Sequence, residues 1–60
     1  MTPEQEALAI ALQVERLHGE RASAFVAEQL RSCVFVGDKT GGDLWKLVAE
    51  ALESRPPPPQ

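Results

Sequence analysis

The chain contains one cysteine, Cys33, no tyrosine, one tryptophan and two phenylalanines in 60 residues. A single thiol cannot close an intrachain disulfide, so the bridged framework of a small secreted domain is excluded and a reducing, cytoplasmic setting is expected. Basic residues are scarce as well. Six stand against nine acidic ones, a net charge of −3, which is the wrong sign for a domain that neutralises phosphates, so nucleic acid is not an expected partner. No apolar run approaches the roughly 20 residues of a bilayer span, and the opening Met-Thr-Pro-Glu-Gln-Glu carries neither a basic leader nor an apolar stretch. No membrane contact is expected. A chain this short hides only about 60% of the surface its unfolded form exposes. With disulfides and metals unavailable, a second copy or a partner protein is the expected source of further burial.

What is present is helical punctuation. Thr2, Pro3 and Gln5 form a start signal, with a capping hydroxyl, a proline in the first turn and a capping-box partner. Ala7, Ile10, Ala11, Val14 and Leu17 then recur at three- and four-residue spacing and predict the buried side of a helix over residues 3–18. Gly19 stands where a left-handed cap belongs. A second helix is predicted over 20–36, with Ala22, Val26, Leu30 and Cys33 inward, Phe25 and Val34 beside them, and Glu28 and Arg31 on the wet side. Val34-Phe35-Val36 has strand-like composition but no pairing partner in the chain, so it is read as a last helical turn. Gly37 closes that helix. A third helix is predicted over 43–54, capped by Asp38 or Asp43, with Leu44, Trp45, Val48, Ala51 and Leu52 forming its apolar side; the Gly41-Gly42 pair argues against an earlier start. Pro56 to Pro59 cannot be helical and predict an unstructured tail. The expected fold is therefore all-α: a small three-helix domain over 1–55 followed by a disordered proline-rich tail over 56–60.

No cluster specifies a chemistry. Asp38-Lys39-Thr40-Gly41 resembles the opening of the phosphorylation signature of P-type ATPases, but the match ends after four residues, and 60 residues cannot hold the α/β domain and magnesium ligands that phosphoryl transfer needs. The glycines before Asp43 lack the lysine and hydroxyl of a phosphate loop. Cys33, His18 and Glu15 are the residue types of a cysteine hydrolase, yet Cys33 falls on an inward row where a thiol behaves as a small apolar group. No catalytic residue, metal ligand or cofactor is expected. His18 is read as a helix-terminal structural residue, Gly19 and Gly37 as caps, and Asp38 as a turn residue. Glu15 lies near the apolar stripe; either it pairs with Arg21 or His18, or it is a solvated edge residue.

The candidate partner surface comprises Leu8, Leu12 and Trp45. Both leucines widen the first apolar stripe, and they face either a second chain or the third helix of the same chain. Trp45 is either the core anchor or, if partly exposed, a binding residue.

With these residues in place, the chain resembles a family of short bacterial proteins carrying a domain of unknown function. The resemblance rests on Ala11-Leu12-Gln13-Val14-Glu15-Arg16-Leu17-His18-Gly19, on Ala22, on Phe25-Val26-Ala27-Glu28-Gln29-Leu30, on Gly37-Asp38, and on Trp45 with Val48-Ala49. It implies a helical fold and no particular activity, cofactor or partner. The paired glycines and the proline tail depart from the family's usual form.

The function expected from these features is a non-enzymatic helical protein–protein interaction module, self-associating as a homodimer or binding another protein. The alternative is a small transcriptional or phage-related regulator of helix-turn-helix type. Against it, residues 43–50 carry one lysine and two acids and offer little to bases or phosphates.

Overall fold

A computed structural model describes residues 2–54; the proline segment lies outside the described residues. Those residues are all-helical: α1 (Pro3–His18), a 3₁₀ turn (Gly19–Arg21), α2 (Ala22–Val36) and α3 (Lys39–Ser54). The first start signal works as its chemistry dictates. Thr2 Oγ1 accepts the Gln5 amide at 3.1 Å, and Gln5 Oε1 accepts the Thr2 amide at 3.1 Å, so two orphan donors are satisfied reciprocally.

Gly19 does not separate α1 from α2 as expected. Its backbone, at φ 55° and ψ −120°, leaves the α-helix, but the next residues continue as a 3₁₀ turn that leads straight into α2. By continuity the described chain is two helical runs, the first sharply kinked at 19–21, where the sequence predicted three separated helices. Only glycine takes that backbone geometry without steric cost.

The second turn is built differently. Gly37 is left-handed at φ 76°, its amide reaches Val34 O at 3.2 Å, and the Asp38 amide reaches Cys33 O at 2.8 Å. These paired bonds satisfy the last carbonyls of α2. Asp38, one of the two caps the sequence offered, then opens α3 at Lys39, four residues before the predicted start of the helix at residue 43. Its Oδ1 accepts the Gly41 amide at 2.9 Å, and its carbonyl accepts the Gly42 amide at 2.9 Å. The two glycines are helical because this cap compensates their poor propensity.

All three arms contribute to one thin core. Ala7, Ala11 and Val14 of α1, Ala22 and Val26 of α2, and Val48 of α3 are buried, and the largest fully buried side chains are the valines at 26 and 48. Ile10, Phe25, Leu44, Trp45, Leu47 and Leu52 pack against this layer while remaining half-exposed. Leu17, predicted to point inward, and Val34, predicted beside the inward row, both lie outside the core. Leu17 is 68% exposed and Val34 70%, because the bend at Gly19 and the turn at Gly37 end each helix before its last apolar residue finds a facing surface. Leu30 and Cys33 are half-buried.

No helix among the described residues is long and apolar enough to cross a membrane.

Candidate functional site

Aromatic contacts join the three arms. The His18 imidazole at the end of α1 stacks on the Phe25 ring at a centroid distance of 4.2 Å and an interplanar angle of 17°. Phe25 in turn meets Trp45 of α3 edge to face, at 6.1 Å and 75°. His18 thus has a structural position, but its contact is a ring of α2, which helix-end reasoning about carbonyls and carboxylates did not foresee. The kink at Gly19–Arg21 folds the chain back so that residues seven apart in sequence meet face to face. Trp45 is half-buried, with its indole turned to Phe25.

The Asp38-Lys39-Thr40-Gly41 segment is a helix start. The Asp38 carboxylate holds the Gly41 amide, and a Cβ built on Gly41 would collide with that carboxylate and lie 3.1 Å from the Cys33 Sγ. The resemblance to a phosphorylation signature therefore has a capping explanation. Asp43, the other predicted cap, is exposed within α3.

Of the residue types that together suggest nucleophilic chemistry, the thiol and the imidazole line different concavities. Cys33 lines a shallow concavity of about 240 Å³ at the α2–α3 turn with Val34, Asp38, Lys39 and Lys46. His18 lines another, of about 280 Å³, with Arg21, Ala24, Phe25 and Glu28. Glu15 is half-buried on α1. Among the described residues no group of three or more His, Cys, Asp or Glu side chains is arranged to hold a metal ion.

Apolar side chains on the outside are the other distinctive feature. Leu8 and Leu12, one turn apart on α1, are each 46% exposed. Leu8 borders a groove of about 410 Å³ that Leu47, Ala51, Glu4 and Glu50 also line. More exposed still is the end of α2, where Phe35 is 90% accessible and Val36 matches Val34 at 70%. Sequence reasoning recognised this run as a helical turn but assigned no role to Phe35. Its position on the same stripe as Glu28 and Arg31 was the available signal.

These features define a class: a small all-helical protein with an aromatic clasp, an aspartate-capped turn and apolar groups left on its surface. A model described as a family of unknown function (DUF6961) matches residues 3–55, and the chain belongs to that family. All the sequence blocks that carried the resemblance lie inside this range. No curated protein and no solved structure matches the chain.

Proposed function

We propose that this protein is a non-enzymatic helical interaction module that associates with a second copy of itself in a reducing, cytoplasmic setting. The observation that carries the reading is Phe35, 90% exposed between two valines at the end of α2. A phenylalanine has a large apolar area to lose on contact, and covering it is favourable by roughly 25 cal/mol per Å². The thin core supports the same reading. A layer whose largest fully buried side chains are valines gives a chain of this length little stability of its own, and association adds what the monomer cannot bury. Leu8, Leu12 and the exposed part of Trp45 are further apolar area available to a partner. The exposed charges of α3, Lys39 and Lys46 against Asp43, Glu50 and Glu53, favour this reading over DNA recognition.

Sedimentation velocity of a Cys33→Ser variant over a wide concentration range tests the proposal without interference from intermolecular disulfides. A mass that climbs with concentration above the 6.5 kDa monomer is expected. A monomer throughout, up to millimolar protein, overturns self-association.

A further inference from the structure

The outward side of α2 has a pattern of its own. Ala24, Glu28, Arg31 and Phe35 follow one another at intervals of four, three and four residues, which places them on one helical stripe. Ala27 and Ser32 flank it, and all six are exposed. Two concavities along this side share Glu28: one also holds Arg21 and Ala24, the other Arg31, Ser32 and Phe35. The residues of α2 that pack inward, Ala22 and Val26, lie on the opposite side.

We propose that this stripe is a two-fold contact between copies of the chain, α2 lying antiparallel on α2 with Glu28 of each copy opposite Arg31 of the other. The proposal assigns a face to the self-association argued above and rests on that reading. In an antiparallel pair, one matched position fixes all the rest. Setting Glu28 against Arg31 sets Ala24 against Phe35 and Ala27 against Ser32, so the one bulky side chain on the stripe meets a small one. A two-fold axis repeats each match, because a contact of residue i with j is also one of j with i.

The alternatives fail on the same charges. A parallel pair sets Glu28 against Glu28 and Arg31 against Arg31. Sliding the antiparallel pair to centre on either charge also brings like against like, an arrangement that costs affinity. The stripe is short and its central pair solvated, so the contact is weak and reversible, with charge setting register more than strength.

Charge reversal tests the contact because both side chains are exposed and neither serves the core. In a Cys33→Ser background, Arg31→Glu puts two like-charge pairs in the dimer, as does Glu28→Arg, and each variant is expected to weaken association at least about tenfold. An equal mixture of the two variants is expected to recover it as a heterodimer, since every pair is then opposite in sign. Phe35→Ala should weaken association without lowering the melting temperature of the monomer, measured at a concentration low enough to keep the chain unassociated. Amide chemical shifts of the Cys33→Ser chain on dilution provide a readout that needs no surface variant, and are expected to move at residues 24, 27, 28, 31, 32 and 35.

Association unchanged in both reversals, or a mixture no stronger than its components, overturns the proposed register. Dilution shifts centred on Leu8 and Leu12 overturn the face while leaving self-association intact. A chain that never associates removes the underlying reading instead. The experiment therefore separates the two failures.

Discussion

The Asp38 carboxylate accepts the Gly41 amide at 2.9 Å, and the space occupied by that carboxylate is the space a side chain at Gly41 would need. A cap and the glycine it engages are thus one device. Asp38 also closes the preceding helix through its own amide, bonded to Cys33 O at 2.8 Å, so one residue ends α2 with its backbone and begins α3 with its side chain.

This coupling predicts different responses at adjacent glycines. A Cβ at Gly42 would sit 3.8 Å from the Cys33 Cβ and 3.9 Å from the Leu30 Cδ1, ordinary van der Waals distances. Gly42→Ala should therefore stabilise by about 0.5–1 kcal/mol, the usual gain on replacing a helical glycine. Gly41→Ala should show no such gain, because the alanine displaces the Asp38 carboxylate and removes a cap worth about 1 kcal/mol. Urea unfolding of both variants checks this; equal stabilisation of the two would show that the cap contributes nothing.

Asp38→Ala should destabilise by about 0.5–2 kcal/mol, within the range for lost caps, and Asp38→Asn should recover most of the loss because an amide oxygen can accept the same bond. Combined with Gly41→Ala, the aspartate deletion should cost much less than it does alone, since the clash disappears with the carboxylate. The double-mutant cycle measures that non-additivity directly.

The stacked His18–Phe25 pair holds the kink between α1 and α2. Aromatic contacts of this kind are worth about 0.5–1.5 kcal/mol beyond the area they bury. A cycle of His18→Ala and Phe25→Leu should return a coupling energy in that range. His18→Phe should keep most of the stability, because stacking needs a planar ring and not an imidazole. A coupling near zero would assign the bend to Gly19 alone.

Much of this structure was legible in the sequence, and the parts that were not share a cause. The Thr2–Gln5 capping box, the end of α1 at His18, the end of α2 at Val36 and the buried positions Ala7, Ala11, Val14, Ala22, Val26 and Val48 follow from local spacing and caps. The start of α3 was misplaced because glycine propensity was weighed above the capping power of Asp38. Leu17 was assigned inward, and Val34 beside the inward row, because periodicity reports which side of a helix a residue occupies, and not whether another helix extends far enough to cover it. Phe35 is a different case: it is exposed because it lies on the outward stripe with Glu28 and Arg31, a signal that periodicity did carry. The contact of His18 with Phe25 required knowing that the chain bends at residues 19–21, a tertiary fact that local patterning does not carry.

Exposed and buried apolar residues should therefore differ sharply under substitution. Val48 is fully buried at the centre of the core, and Val48→Ala removes two carbons and leaves a void. At about 0.8 kcal/mol per buried carbon plus a cavity contribution, the loss should be about 2 kcal/mol, a large share of the stability of so small a domain. Leu17 is 68% exposed, and Leu17→Gln should change stability by no more than about 0.5 kcal/mol, as surface substitutions do. Thermal unfolding followed by far-UV circular dichroism, at a concentration low enough to keep the chain monomeric, distinguishes the two. A loss at Leu17 comparable to that at Val48 would mean that Leu17 is covered in solution, and repeating the measurement across concentrations would then show whether a second copy covers it.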